Sequence, residues 1–265
     1  MIDYTLDELN KSIKDIVTKD NEVVFIAGNI AALGRSSTLK KKELLNTIYN
    51  SIMEVSEDIT IAVPSLTMDL CNTDKIFSKN IYTNMGAFSN FIIQMNNSVR
   101  NMHPFASYTA IGKNAEFICG EDTSFPYGLN SPYDNILKLQ KPIMISIGME
   151  PNLTCSIIHH VEFNMHVPYR YIKEFYHPVK INEEIKYKNF YLHVLYKDLN
   201  EKRNLNIKAF SSFKKNGYDI IEKKIGKSKI YSYNLKEFYD NSIKLYQKNI
   251  YSWLDEEPSY RPYRK

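Results

Sequence analysis

The order of strand and helix patterns along this chain predicts an α/β fold. Apolar, β-branched runs at residues 22–27 and 59–64 predict two buried strands. Between them, residues 39–53 place apolar side chains at helical spacing. A strand, a loop, a helix and a second strand in succession form the beginning of an α/β layer. We therefore expect a single α/β domain that spans residues 1–265.

The same two kinds of pattern predict the other helices and strands of the layer. Apolar residues three or four positions apart predict helices, and short apolar runs bounded by polar residues predict strands. The further helices are predicted at residues 5–19, 86–95 and 235–250, and the further strands at 115–119 and 143–148.

A change of pattern after residue 180 predicts a C-terminal extension of the layer. In residues 185–188 apolar and charged side chains alternate, and the alternation continues in the opposite phase after Asn189. This phase change predicts a bulge in a β-hairpin region that reaches Phe210. The proline-containing tail at 257–262 is expected to be irregular.

Composition and cysteine usage place the chain in a broad class. Hydrophobic residues make up 43% and charged residues 24%, the balance of a soluble globular protein. The sequence holds no apolar run of the roughly eighteen residues that a membrane helix needs, and the acidic segment 1–8 does not resemble a signal peptide. Cys71, Cys119 and Cys155 form no CxxC pair. We therefore expect a cytoplasmic protein without a disulfide framework, a zinc knuckle or a membrane partner.

The net charge of +4 is distributed unevenly along the sequence. Residues 1–150 hold 13 basic and 17 acidic side chains, whereas residues 151–265 hold 21 basic and 13 acidic ones, which gives −4 and +8. A basic half favours an anionic ligand such as a nucleotide, although a solvated lysine-rich surface gives the same count. Because the lysines are dispersed, they favour nucleic-acid binding only weakly, and a non-catalytic nucleic-acid-binding protein is the alternative to an enzyme.

His159 and Glu162 are the strongest candidates for chemistry. If residues 156–163 are helical, the i, i+3 spacing places both side chains on one face of the helix. A carboxylate beside an imidazole makes the ring a stronger base. The pair is therefore suited to removing a proton from an attacking amine or hydroxyl, although a surface or core pair without chemistry has the same spacing.

Two other chemistries use the same segment. Cys155 lies four positions before His159, a spacing that permits a thiolate nucleophile with a histidine base. A metal site would combine His160 and His166 with His159 and Glu162, but this spacing is neither HExxH nor a pattern with a cysteine pair. Both chemistries remain alternatives to general-base catalysis.

Two further segments carry small and polar residues outside a clear helix or strand. Residues 27–37 follow a strand and contain two glycines, as do loops that bind phosphate through backbone N–H groups. Residues 98–112 combine Arg100, His103 and Ser107 with a proline that fixes His103 at a turn. An ordinary structural connection explains each segment equally well.

Five short motifs stand in the chain in a fixed order over residues 20–165. They are Leu33-Gly34 after the first strand, Met85-Gly86-Ala87-Phe88-Ser89, Arg100-x-x-His103-Pro104-x-x-Ser107-x-x-Ala110-x-Gly112, Gly128-x-x-Ser131-Pro132 and Ser156-x-x-His159-x-x-Glu162. In order and spacing they resemble the elements of the aminoglycoside 3-N-acetyltransferase family, and the third motif is the most specific of the five.

The resemblance implies a layered α/β/α fold, distinct from that of the GNAT acetyltransferases. It also implies acetyl transfer from acetyl-CoA to a sugar amine, without a metal. His159 is then the general base and Glu162 the carboxylate that orients it, with residues 166–265 on the acceptor side. The residues implied to contact acetyl-CoA are Asn29, Ile30, Leu33, Gly34, Arg35, Ser36, His103, Pro104 and Ser107, and those implied to contact the acceptor are Ser131 and Tyr133.

The charge distribution narrows the choice of acceptor. An aminoglycoside is a polycation and needs an acidic site, whereas residues 151–265 carry +8. A nucleotide-linked amino deoxysugar is anionic and suits that charge better. We therefore predict N-acetylation of such a sugar for a surface glycan, with aminoglycoside acetylation and antibiotic resistance as the alternative. A homodimer is left open as the assembly.

Overall fold

The computed structural model describes residues 2–38, 40–197, 199 and 203–264. Met1 and Leu39, which begin the predicted acidic segment and the predicted helix at 39–53, lie outside the described residues. The helices are α1 (Leu6–Lys14), α2 (Lys41–Met53), α3 (Ala87–Ile93), α4 (Ala115–Cys119), α5 (Pro132–Lys138), α6 (Pro151–Thr154), α7 (Ile157–Asn164), α8 (Ile207–Lys215) and α9 (Leu235–Lys248). The strands are β1 (Val23–Gly28), β2 (Thr60–Pro64), β3 (Val99–Arg100), β4 (Tyr108–Ile111), β5 (Ile143–Ile147), β6 (Arg170–Ile181), β7 (Glu184–Leu195), β8 (Ile221–Ile225) and β9 (Ser228–Asn234).

Within the described residues, the main sheet has seven strands in the order β3-β4-β2-β1-β5-β9-β8. Strand β1 runs parallel to β2 and β5, and antiparallel strands complete both edges. Every residue of β2 and β5 is buried, as expected of central strands covered on both faces. The observed sheet confirms the predicted α/β class.

Two cores lie on opposite faces of this sheet because consecutive side chains of a strand point to opposite sides. On one face, Val24 and Ile26 of β1 pack in a core shared with α1, α2 and α3. On the other face, Val23 and Phe25 pack in a core shared with α4, α5, α7, α8 and α9. The fold is therefore layered α/β/α, as the resemblance implies.

Strands β6 and β7 form a separate antiparallel hairpin whose twelve residue pairs are continuous from Arg170 to Ile181. The prediction of a bulge at Asn189 is wrong, since this residue pairs in register with Tyr176. The phase change reflects burial instead: Ile185 is exposed on one face of the hairpin, whereas Phe190 is buried on the other. The hairpin also ends before Phe210, which lies in α8.

The strand predicted at residues 115–119 is wrong, because this segment forms helix α4. Its buried residues Ile118 and Cys119 lie three and four positions after the buried Ala115, and the intervening Phe117 is exposed. A short apolar run does not by itself distinguish a strand from a buried helical turn.

The C-terminal part of the chain does not stand entirely outside the layer. Strands β8 and β9 join the main sheet beside β5, and α9 packs on the same core as α7. Among the described helices, none combines the length and the apolar character needed to cross a membrane. Strand β9 ends with Asn234 paired to Ile143 at the start of β5, and α9 connects this point to the tail.

Candidate active site

A cavity of about 650 Å³ opens where the three parallel strands end. Gly28, Pro64 and Ile147, the last residues of β1, β2 and β5, all contribute to its wall. Further parts of the wall come from the loop after β1, Leu66, residues 84–89 around the start of α3, residues 149 and 152–156, and His159. Three residues of the C-terminal part of the chain, Leu205, Asn206 and Trp253, also belong to the described lining. The carboxyl ends of parallel strands are the usual place for a ligand in an α/β sheet.

Gly28 allows β1 and β5 to approach each other at the edge of the cavity. Its φ angle of 140° lies in a region that suits glycine, and a Cβ atom there would lie 2.1 Å from the carbonyl oxygen of Ile147. The next residue, Asn29, caps a short 3-10 turn at Ile30–Leu33 and accepts a hydrogen bond from the N–H of Ala31 at 3.2 Å.

Gly28→Ala is expected to lower the free energy of unfolding by more than about 1 kcal/mol, because the new methyl group forces β1 away from β5. Urea denaturation measures the change. Gly217→Ala serves as the control, since Gly217 also has a positive φ of 83° but no atom within 4 Å of the added Cβ. An equal loss in both variants would show that backbone strain alone matters.

His159 and Glu162 form a hydrogen-bonded pair on α7. Nδ1 of His159 lies 2.8 Å from Oε2 of Glu162. The side chain of His159 is 36% exposed and contributes to the cavity wall, whereas that of Glu162 is completely buried. Because Nδ1 is hydrogen-bonded to Glu162, a further hydrogen bond of the ring would use its other nitrogen, Nε2. The helix predicted at 156–163 thus brings the two side chains together on one face.

Three groups hold the carboxylate of Glu162. Tyr169 donates a hydrogen bond to Oε1 at 2.9 Å, and Nη2 of Arg170 lies 3.1 Å from Oε2. Burial alone raises the pKa of Glu162, but the charge of Arg170 and the hydrogen bond with His159 outweigh it and lower the pKa below its usual value. Glu162 therefore remains an anion at neutral pH although it is buried.

Aromatic side chains enclose the ring of His159. Trp253, from the segment after α9, stands edge-on with a centroid distance of 6.1 Å, and Tyr127 lies at 6.1 Å. The sequence predictions did not include Tyr169, Arg170 or Trp253. The chain has a single tryptophan, but no spacing connects it to a histidine almost a hundred positions earlier.

The loop after β1 reaches the cavity only with its first residues. Asn29 and Ile30 contribute to the wall, whereas Leu33 is buried in the core. Gly34, Arg35 and Ser36 do not line the cavity in the described structure. The 3-10 turn carries these residues to the N-terminal segment, where the Arg35 N–H donates to Asp3 at 2.7 Å and Ser36 bridges to Tyr4.

His103 and Pro104 are also away from the cavity, among buried residues. Nδ1 of His103 accepts hydrogen bonds from the N–H groups of Phe105 and Ala106, and burial lowers the pKa of His103 to about 4. The carbonyl of Pro104 accepts a hydrogen bond from Thr67 at 2.7 Å. This geometry makes His103 a neutral acceptor that shapes a turn, and neither residue lines the cavity in the described structure.

Ser107 contributes to the site indirectly, through the end of β2. Its hydroxyl donates to the carbonyl of Ser65 at 2.8 Å, and Arg100 donates to the same carbonyl at 2.5 Å. Ser65 lies between Pro64 and Leu66, which both line the cavity. Two residues of the most specific motif, Arg100 and Ser107, thus hold the backbone of the wall at Ser65 without lining the cavity themselves.

Ser131 and Tyr133, the predicted acceptor contacts, are buried behind the wall. Ser131 caps α5 by accepting the N–H of Asp134. The Tyr133 hydroxyl lies 2.5 Å from Oγ of Ser156, which does line the cavity. Neither predicted residue is part of the described lining, which includes Ser156.

The geometry also bears on the two alternative chemistries. Burial raises the pKa of the Cys155 thiol to about 12, so a thiolate nucleophile is disfavoured at neutral pH. Burial lowers the pKa of His160 to about 4, and its Nδ1 accepts the N–H of Gly128 at 3.3 Å. Across the described residues, no three His, Cys, Asp or Glu side chains are grouped as metal ligands.

Cys155→Ala is expected to leave the turnover rate within a few-fold of that of the wild type, because a buried neutral thiol takes no part in the reaction. Steady-state kinetics with a fixed acceptor checks this. A loss as large as that expected for a histidine base would restore the thiolate mechanism.

The chain is similar to proteins of known structure along most of its length. A family model described as aminoglycoside 3-N-acetyltransferase matches residues 43–247. Similar structures include aminoglycoside acetyltransferase AAC(3)-Xa, at 15% identity over 92% of this chain and 93% of that chain (TM-score 0.76). The YokD protein from Bacillus subtilis has 17% identity over 93% and 100% (TM-score 0.73), and AAC-IIIb in a binary complex with CoASH has 15% over 96% and 99% (TM-score 0.77).

A comparison with curated protein sequences finds no match. At identities below 20%, the structural likeness shows the fold, which is that of these acetyltransferases and not of the GNAT class. The family model covers well over half of the chain. The chain therefore belongs to the aminoglycoside 3-N-acetyltransferase family, as its five motifs predict, and to the enzyme class of N-acetyltransferases.

Proposed function

We propose that this protein transfers the acetyl group of acetyl-CoA to the amine of an amino sugar, with His159 as the general base. The observation that carries the proposal is the position of His159, at the wall of the large cavity and hydrogen-bonded to a buried carboxylate. A similar structure is a complex with CoASH, which supports acetyl-CoA as the donor. The residues described supply no metal site to this reaction.

The proposed reaction is a direct transfer. The sugar amine attacks the thioester carbon while Nε2 of His159 accepts a proton from the amine nitrogen. The carbonyl electron pair moves to oxygen, and its return breaks the carbon–sulfur bond. The thiolate of CoA then takes the proton from the imidazolium. Glu162 keeps Nδ1 protonated throughout, so that Nε2 is the nitrogen that accepts and returns the proton.

Ser156 is the proposed hydrogen-bond donor to the oxyanion. Burial raises the pKa of Tyr133 well above its usual value, so that its hydroxyl stays protonated and can donate to Oγ of Ser156. The proton of Ser156 is then available to an oxygen in the cavity. Of the acetyl-CoA contacts implied by the sequence, Asn29 and Ile30 stay in the proposal because they line the cavity.

The acceptor that we propose is a nucleotide-linked amino deoxysugar. Among the described residues that line the cavity, none is aspartate, glutamate, lysine or arginine. Two guanidinium groups, of Arg170 and Arg203, lie over the ring of Trp253 at 4.7 and 5.5 Å. A wall without carboxylates suits a neutral or anionic acceptor better than a polycation.

An aminoglycoside is the second candidate, and a specific observation favours it. Residues 255–257, Asp-Glu-Glu, directly follow the tail segment that carries Trp253 to the site. Carboxylates at this position would attract ammonium groups. A similar structure, AAC-VIa, is a complex with sisomicin. The single domain over residues 1–265 with its acceptor side at 166–265, the cytoplasmic location and the homodimer stay predictions.

The test is a panel of acceptors in one assay of thiol release from acetyl-CoA. The panel pairs nucleotide-linked amino sugars with the same sugars lacking the nucleotide, and adds kanamycin and sisomicin. The proposal expects the highest kcat/KM for a nucleotide-linked acceptor. A preference for the aminoglycosides would replace this acceptor with the second candidate, and no thiol release with any member would contradict the enzyme itself.

A further inference from the structure

Arg170 contacts the same carboxylate oxygen as the proposed base. Its Nη2 lies 3.1 Å from Oε2 of Glu162 and 3.5 Å from Nδ1 of His159. No motif of the sequence includes this arginine, and the proton transfer described above does not use it. A buried cation this close to a histidine base nevertheless changes the energy of the protonated ring.

The guanidinium is held in place on three sides. In addition to the contact with Glu162, Nη1 of Arg170 donates to the carbonyl of His193 at 3.2 Å, and its Cζ lies over the ring of Trp253, 4.7 Å from the ring centre. Only 10% of the side chain is exposed. A fork of donors stacked on an aromatic ring is a geometry that arginine provides and lysine does not.

Three tyrosines and one histidine near the pair are uncharged at neutral pH. Burial raises the pKa values of Tyr127, Tyr169 and Tyr246. Burial, together with the charge of Arg170, lowers the pKa of His193 to about 4. Besides these, Arg203 lies across the ring of Trp253 and His166 is exposed after the end of α7. Glu162 and Arg170 are thus the two buried charges next to His159, and they cancel.

We propose that Arg170 is a positioning residue whose guanidinium neutralises the buried carboxylate of Glu162, the group that accepts the Nδ1 hydrogen bond of His159. The inference rests on the proposed role of His159 as the base. A lone buried carboxylate beside an imidazole favours an ion pair, in which the ring is already protonated and accepts nothing from the amine. With Arg170 present, Glu162 is neutralised without that proton and still accepts the Nδ1 hydrogen bond.

The sign of the effect follows from the charges. Removing the positive charge of Arg170 stabilises the protonated ring, so the unprotonated form appears only at higher pH. Arg170→Gln removes the charge and keeps a hydrogen-bond donor, whereas Arg170→Lys keeps the charge and loses the fork. We expect the acid limb of the pH profile of kcat/KM to move up by about one unit in Arg170→Gln and to stay near that of the wild type in Arg170→Lys.

A measurement that needs no substrate separates this inference from the proposed function. NMR of protein labelled at histidine nitrogens follows each imidazole with pH, and His159→Gln assigns the signal. We expect the titration of this imidazole to move to higher pH in Arg170→Gln. If it moves but no acetyl transfer is found in any variant, the charge relation stands and the proposed function fails.

Two results would overturn the inference. One is an Arg170→Gln enzyme whose kcat/KM falls by the same factor at every pH, with an unchanged imidazole titration, which indicates a packing role only. The other is an Arg170→Lys enzyme that shifts as far as Arg170→Gln. Circular dichroism melting of all three proteins establishes that each one is folded in the range of pH used.

Discussion

His159→Ala is expected to lower kcat by about 10²- to 10⁴-fold, the range that general-base catalysis contributes. The variant retains the cavity and the backbone that lines it, so its affinity for CoA should be unchanged. Steady-state kinetics with acetyl-CoA gives the rate, and calorimetric titration with CoA gives the affinity.

The matched control is His166→Asn, at an exposed histidine just after the same helix. The φ angle of His166 is 50°, and asparagine tolerates this left-handed conformation. This variant should keep wild-type kinetics. If His159→Ala and His166→Asn had equal rates, His159 would not be the base.

Glu162→Ala is expected to have the largest effect on stability, a loss of about 3–5 kcal/mol in the free energy of unfolding. The substitution leaves the guanidinium of Arg170 buried without its carboxylate and removes the acceptor of the Tyr169 hydroxyl. Urea unfolding at neutral pH measures the loss. Glu57→Ala, at an exposed glutamate, is the control and should change stability by less than about 0.5 kcal/mol.

The same variant predicts a dependence on pH. Because the pKa of Glu162 is lower in the folded protein, its stabilising contribution is complete above the pKa of an unfolded glutamate. The contribution is lost as pH falls through the lower, folded-state value. The difference between wild type and Glu162→Ala should therefore shrink in acid, and a difference that stays constant would mean that the charge of Glu162 is not what stabilises the fold.

Local periodicity was sufficient to predict the central layer. Val23–Gly28 and Thr60–Pro64 are apolar runs because helices cover both faces of the sheet, and this burial is visible in the sequence. The helical spacing of His159 and Glu162 likewise determined their contact. These features depend on residues a few positions apart.

Other features depend on parts of the chain that are distant in sequence. Ile185 and Phe190 lie on opposite faces of one hairpin, which is why the alternation of apolar residues changes phase between them. The sequence does not show that one face of the hairpin packs on the rest of the protein. Trp253 contacts His159 because the chain after α9 folds back onto α7. His103 and Ser107 lie in the most specific motif, yet hydrogen bonds to buried backbone groups account for both.

The most direct test is a crystal structure of the enzyme with CoA and a non-reactive nucleotide-linked sugar. We expect the CoA sulfur to lie in the cavity between Asn29 and His159, and the acceptor amine to lie within hydrogen-bond distance of Nε2 of His159. A CoA molecule bound elsewhere, or an acceptor whose amine faces away from this ring, would contradict this expectation.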